Sequence, residues 1–191
     1  MKVFIGLSGG VDSAVAAYLL KEQGYDVTCG FMRNWDSLAN NDYLGNPTLD
    51  LEACSQELDY NDAVDVAAKL GLPLVRIDFV EEYWDNVFSV FLDETKKGNT
   101  PNPDILCNRY IKFDAFLNHA RSLGFDVLAT GHYAKLVEVD GVKRLAKAND
   151  LNKDQSYFLA QVSLESLQQT IFPLQDISKT EVRAIADKLG L

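Results

Sequence analysis

The stretch Val3-Phe4-Ile5-Gly6-Leu7-Ser8-Gly9-Gly10-Val11-Asp12-Ser13 decides the fold. Its apolar opening, Val3–Leu7, reads as a buried strand that enters a turn at Ser8-Gly9-Gly10. Behind the turn, Val11, Val15, Ala16, Leu19 and Leu20 recur at helical spacing, and Gly24 stops the run. Val27–Phe31 is then a second strand. A strand, a glycine turn, a helix and a strand within about 30 residues make a βαβ unit with a right-handed crossover. The fold class is therefore α/β, a doubly wound parallel sheet of the Rossmann type.

Further along, the patterning predicts a helix over Tyr60–Leu70, a strand over Leu74–Asp78 and a helix over Glu81–Lys97. An ordered turn at Gly98-Asn99-Thr100-Pro101-Asn102-Pro103 follows, since two prolines fix φ and bar the residues before them from helix. Ile105–Ser122 is helical and Val127–Thr130 is a strand. Tyr133–Val139 and Val142–Ala148 read as a hairpin around Asp140-Gly141. Helices are expected near Gln155–Gln161, Leu164–Gln169 and Lys179–Leu189. Arg33–Leu58 lacks a clean period and reads as a long loop or insertion. The expected division is a parallel-sheet domain over residues 1–135. Residues 136–191 would be a hairpin and helical region that starts a second part.

The chain of 191 residues carries a net charge of −10, which is a poor basis for broad nucleic-acid binding. Any contact with RNA needs a local basic patch, and Lys143, Arg144, Lys147 and Lys153 supply the densest one. Three cysteines without a Cys-x-x-Cys pair argue against a disulfide framework and for a reducing compartment. No apolar run reaches the ~18 residues of a membrane span, and the opening residues lack a signal-peptide pattern. A cytoplasmic protein is expected, with no membrane partner.

The segment Ser8–Ser13 is a phosphate cradle. Glycines allow close backbone approach, and a helix start offers free N–H groups and the positive end of its dipole. It lacks the lysine of a Gly-x-x-x-x-Gly-Lys-Ser/Thr loop and the spacing of Gly-x-Gly-x-x-Gly. Asp12 beside phosphates suggests a Mg²⁺ held there, since a bare carboxylate would repel them.

Ser8-Gly9-Gly10-Val11-Asp12-Ser13 resembles the pyrophosphatase loop of the ATP pyrophosphatase (PP-loop) superfamily. Further stretches narrow the resemblance to the tRNA-specific 2-thiouridylases. They are Gly30–Trp35, Glu82–Phe88, Thr100-Pro101-Asn102-Pro103-Asp104-Ile105-Leu106-Cys107-Asn108, Ala129-Thr130-Gly131-His132-Tyr133 and Asn152-Lys153-Asp154-Gln155-Ser156-Tyr157-Phe158. The resemblance runs over essentially the whole chain. It implies an adenine nucleotide alpha-hydrolase-like fold and ATP-dependent 2-thiolation of a wobble uridine. The uracil C2 oxygen would be adenylated, and sulfur from a persulfide would then displace AMP.

On that resemblance, Gly6, Leu7, Ser8, Gly9, Gly10, Val11, Asp12 and Ser13 bind ATP, and Met32 and Gly131 flank the adenine. Asn102, Pro103 and Asp104 contact the target base, and Lys153, Asp154 and Gln155 contact the tRNA. Asp104 and Cys107 are the catalytic pair. Cys107 attacks a persulfide on a second cysteine, and Asp104 is the acid/base. A persulfide carrier or cysteine desulfurase relay is the implied sulfur source. His132 is placed near the nucleotide.

Read from the residues alone, Cys107 lies about one turn into a helix, where the dipole lowers a thiol pKa. Asp104 is open to two readings, a helix N-cap or the acid/base. Both hold together only if another group caps the helix. Cys29 reads as a buried hydrophobe, and Cys54, His119 and His132 lack ligand spacing for a metal. Arg109 and Lys112 are placed to hold substrate phosphates. The resemblance also expects a persulfide cysteine beyond Leu191, so the chain reads as the N-terminal catalytic portion of a longer protein. Two rivals are another adenylating PP-loop synthetase and a non-catalytic ATP- or AMP-binding module.

Overall fold

A computed structural model describes residues 1–36 and 55–191. Within them, β1 (Lys2–Gly6), α1 (Val11–Glu22) and β2 (Asp26–Arg33) form the expected βαβ unit. Next come α2 (Ser55–Leu70) and β3 (Leu74–Asp78). A helical run follows as α3 (Val80–Tyr83), a π-helical stretch Trp84–Phe88 and α4 (Ser89–Lys96). A second run is α5 (Pro103–Leu106), a π-helical stretch Cys107–Ala115 and α6 (Phe116–Ser122). The chain continues with β4 (Val127–Ala129), the strands β5 (Ala134–Val139) and β6 (Val142–Lys147), and a 3₁₀ turn Ser156–Leu159. It closes with α7 (Leu164–Gln168), β7 (Thr170–Ile171) and α8 (Lys179–Leu189).

The main sheet has five strands in the order β3-β2-β1-β4-β7, all paired in parallel. The hairpin β5-β6 is a separate antiparallel pair, turning on Asp140 (φ 54°) and Gly141 (φ 75°). Two consecutive positive φ values are what a two-residue type I′ turn requires, so the Asp-Gly signal acted as expected.

Alternation along β1 makes the sheet two-faced. Val3 and Ile5 join a core with Ala14, Val15, Ala17, Val182 and Ala186, which are residues of α1 and α8. Phe4 joins the opposite core with Ile77, Phe113, Phe116 and Leu128. Each Val, Ile, Leu or Phe side chain among them, removed from water, stabilises the fold by roughly 1.5–3 kcal/mol. Gly30 on β2 lets the Phe4 and Phe116 rings close over the sheet, because a Cβ there would lie 2.7 Å from both.

Two features depart from expectation. The insertion is already helical from Ser55, so α2 starts before Tyr60. Residues 37–54 of the expected insertion, Cys54 among them, lie outside the described residues. The strand β7 extends the sheet beyond β4, where no strand was expected, pairing Leu128 with Thr170 and Ala129 with Ile171. Residues 136–191 thus share the sheet through β7 and the core through Leu174, Val182 and Ala186. Among the described residues, no helix is long and apolar enough to cross a membrane.

Candidate functional site

Strand order reverses direction between β1 and β4, and open α/β sheets bind ligands at the carboxyl ends of such a pair. A cavity of about 190 Å³ lies there. Gly6, Ser8, Asp12 and Ser13 form one wall. Met32 comes from the end of β2, Thr130, Gly131 and His132 follow β4, and Lys112 and Gln155 close the rest. A wider groove of about 430 Å³, bounded by Arg109, Arg121 and Gln161, includes none of the loop residues.

The loop is held open for a ligand by its own hydroxyls. Ser13 Oγ donates to the Gly10 carbonyl at 2.9 Å and accepts the Ser8 N–H at 3.2 Å. Gly10 is the N-cap of α1 and offers no side chain, so the first N–H groups of that helix are uncapped. Gly9 adopts φ +83°, and a Cβ on it would lie 2.8 Å from Asp62 Cβ on α2. A Cβ on Gly131 would lie 2.9 Å from Ser13 N and 3.0 Å from Asp12 C. Both glycines are therefore there for close approach of backbone to backbone. These observations fit a bound phosphate chain: open N–H donors, a glycine cradle and an adjoining cavity. Leu7 differs from its neighbours, because it is buried and its N–H donates to the Gly30 carbonyl at 2.9 Å. Val11 packs against the α1 core.

Asp12 is the charged centre of the loop. Its Oδ1 accepts from the Tyr133 hydroxyl at 2.9 Å and from the Lys179 ammonium. Burial and the Asp12 carboxylate push the Tyr133 hydroxyl well above its ordinary value, so it stays a proton donor. Among the described residues, no cluster of three or more metal-ligating side chains exists. A divalent ion here would have Asp12 as its protein ligand and phosphate oxygens and waters as the others.

His132 is tied by Nδ1 to Thr130 Oγ1 at 2.7 Å and packs against the rings of Phe113 and Phe172, which also touch each other. Burial, with the nearby Lys112 ammonium, pushes it down to about 3, so it is neutral. Lys112 also acts on Cys107. The reason is local. Cys107–Ala115 is π-helical, and i→i+5 bonding stacks Cys107 and Lys112 along one side of the helix. One helix stretch therefore carries a cation in the cavity wall and a thiol one turn away.

At the start of that run, Asn102 is the N-cap, its side-chain oxygen accepting the Asp104 N–H at 3.0 Å. The exposed Asp104 carboxylate is not the cap. Cys107 is 8% exposed, and burial pushes its thiol up, with the Asp104 charge adding to that and Lys112 opposing it. A thiol lowered by its place near the helix start was expected. Desolvation outweighs that effect. Tyr83 belongs to the same neighbourhood, its hydroxyl raised by burial and by the charges of Cys107 and Asp104.

Lys153, Asp154 and Gln155 do not open a helix, since they lie in the turn before the 3₁₀ segment. Asp154 accepts the Ala148 N–H at 3.0 Å and the Ser156 hydroxyl at 2.8 Å. Gln155 brackets Tyr133, its N–H reaching the Tyr133 carbonyl at 2.7 Å and its Oε1 accepting the Tyr133 N–H at 3.0 Å. Only Lys153 of the three is exposed. In the basic patch, Lys143 is bound to the Gln168 carbonyl at 2.9 Å, while Arg144 and Lys147 are exposed. Arg109 stacks over Tyr110 and bonds Gln161 at 3.2 Å. Cys29 is fully buried, and its thiol is pushed up to about 12. The residues that the sequence reading missed are Lys179, Tyr133 and Tyr83.

A parallel sheet with this strand order, and a glycine cradle and cavity at its switch point, define an α/β domain of the HUP class. The chain belongs to the tRNA methyl transferase HUP domain family, whose model it matches over residues 1–191. It is 58% identical to a tRNA-specific 2-thiouridylase MnmA of Mesoplasma florum, over 100% of this chain and 52% of that protein. It is 55% identical to the protein of that name from Acholeplasma laidlawii, over 100% of this chain and 51% of the relative. The chain thus spans about half the length of the curated relatives it matches. A solved predicted subunit of tRNA methyltransferase from Methanocaldococcus jannaschii is similar at a TM-score of 0.57 and 16% identity, over 98% of this chain and 76% of its own. An NMN synthetase from Francisella tularensis is similar at 0.54 and 18% identity, over 98% and 61%. These two share the fold.

Proposed function

We propose that this chain is the adenylating and thiol-bearing part of a tRNA 2-thiouridylase. Its ligands would be ATP with Mg²⁺, tRNA and a persulfide sulfur carrier or cysteine desulfurase relay. The observation that carries this reading is the single helical run that joins Asp104 and Cys107 to Lys112 in the cavity wall. An activation site and a sulfur-handling thiol then lie within one reaction space. The identity to thiouridylases over the whole chain supports the substrate class.

In this scheme the loop N–H groups and the Ser8 and Ser13 hydroxyls hold the β,γ-phosphates. Met32 and Gly131 border the adenine. Asp12 holds the metal ion, which would neutralise phosphate charge and aid the departure of pyrophosphate. Asn102, Pro103 and Asp104 present the uracil, and its C2 oxygen attacks the α-phosphate as pyrophosphate leaves. Asp104, free of a capping role, handles the uracil proton. Cys107 attacks the persulfide to form a disulfide, and the released hydrosulfide attacks C2 and expels AMP. Lys153, Arg144 and Lys147 offer exposed cations to the tRNA backbone.

The test is product analysis with the whole protein that contains this chain, ATP, Mg²⁺, unmodified tRNA and a persulfide donor. The expected products are AMP, pyrophosphate and 2-thiouridine in the digested tRNA. Cys107→Ser should retain tRNA-dependent pyrophosphate release and lose thiolation. Release of ADP, or full thiolation by Cys107→Ser, overturns the assignment.

A further inference from the structure

The loop Ser8–Ser13 contains no cation of its own. The fold brings one to it from 167 positions away. The Lys179 ammonium lies on Asp12 Oδ1, at the first turn of α1. Lys112 is the cation that lines the cavity itself, and its charge acts on His132 and Cys107; Lys179 stands outside that lining and borders it through Asp12. We propose that Lys179 is the phosphate-gripping lysine of this site, a direct ligand of the terminal phosphates of the bound nucleotide. This rests on the reading of the cavity as an ATP site.

Three observations support it. Lys179 is built in rather than dangling. Its side chain is 20% exposed, and its N–H donates to Asp150 Oδ2 at 2.9 Å. The helix it opens is fixed by a Ser178–Glu181 capping box and by Val182 and Ala186 in the α1 core. An ammonium so placed has already lost much of its conformational freedom, which favours binding. Second, Asp12 holds two donors on one oxygen. Tyr133 can keep that carboxylate satisfied when the ammonium turns toward phosphate. Third, a polyphosphate carries more negative charge than one carboxylate, so the exchange is electrostatically downhill.

The experiment is calorimetric titration of the protein with ATP, AMP and inorganic pyrophosphate, each with Mg²⁺, for the wild type, Lys179→Gln and Lys179→Arg. Lys179→Gln should lose about tenfold or more in affinity for ATP and pyrophosphate, and keep AMP within about twofold. Lys179→Arg should restore much of the loss. AMP binding doubles as the check that the variant is folded. Equal losses for ATP and AMP, or unchanged ATP affinity, overturn the proposal and leave the ATP reading standing. Absence of any nucleotide binding by the wild type overturns both.

A second measurement needs no variant. An acyl-phosphate derivative of ATP transfers its acyl group to an amine beside its last phosphate, forming an amide as the phosphate oxygen leaves. Peptide mapping should find the label on Lys179, and competing pyrophosphate should suppress it. Labelling at Lys112 without Lys179 overturns the proposal.

Discussion

The Asn102 side chain, and not that of Asp104, caps the helical run that bears Cys107, accepting the Asp104 N–H at 3.0 Å. The sequence left Asp104 between two roles, and this bond separates them: its backbone serves the cap while its exposed carboxylate faces solvent. Asn102→Ala should therefore cost about 0.5–2 kcal/mol in denaturant unfolding, as loss of an N-cap does. Asp104→Asn keeps the same N–H and should fall within about 0.5 kcal/mol of the wild type, as distant surface changes do. It should nonetheless abolish thiolation by the whole protein. If Asp104→Asn destabilises as much as Asn102→Ala, the carboxylate is structural after all.

Gly9 lies in the loop and Gly131 packs against it, and their replacements should separate strain from obstruction. Gly9→Ala forces φ +83° on a side chain whose Cβ meets Asp62 at 2.8 Å. A cost of about 1–3 kcal/mol is expected from the backbone alone. Gly131→Ala places its Cβ against the backbone of Asp12 and Ser13, which cannot swing away as a side chain can. It should weaken ATP binding by about tenfold or more. Gly124→Ala is the control, since Gly124 has φ +80° and nothing within 4 Å of its Cβ position. It should lower stability and leave nucleotide affinity unchanged, as measured by calorimetry beside thermal melts.

The first βαβ unit was legible because its signals are local. Val3–Leu7, the glycine turn and the spacing of Val11 to Leu20 each act within a few residues, and the strand and helix follow them. The Asp140-Gly141 turn and α8 were legible for the same reason. What was not legible depends on distant partners. Thr170-Ile171 is too short to show alternation, and it becomes a strand only because β4 offers an open edge. Asp154 spends its side chain on Ala148 and Ser156, a local competition that holds Lys153–Gln155 out of a helix. Within the site, the loop and Gly131 were readable. Lys179 was not, because nothing near it in sequence points to Asp12.

The thiol of Cys107 should titrate above an ordinary cysteine. Burial and the Asp104 carboxylate both favour the neutral form, and Lys112 alone opposes them. Alkylation of Cys107 by iodoacetamide, followed by peptide mass spectrometry, should be slow at neutral pH and accelerate only in alkaline solution. Lys112→Met removes the opposing cation and should shift that profile to still higher pH. An apparent pKa for Cys107 below that of a free cysteine in the same assay would contradict this picture.

Acid stability should report on His132. Its folded-state value is pushed down from 6.5 to about 3 by burial and by Lys112. Below about pH 6.5 the unfolded chain takes up a proton on this ring that the folded chain refuses. The stability it contributes is therefore complete above pH 6.5 and is lost as the pH falls toward about 3. Carboxylates titrate in the lower part of the same window, so the comparison must be with a variant that lacks the ring. Urea midpoints measured between pH 7 and pH 5 should drop more steeply for the wild type than for His132→Gln. Parallel slopes for the wild type and His132→Gln would mean that the ring is solvated and carries no buried neutral state.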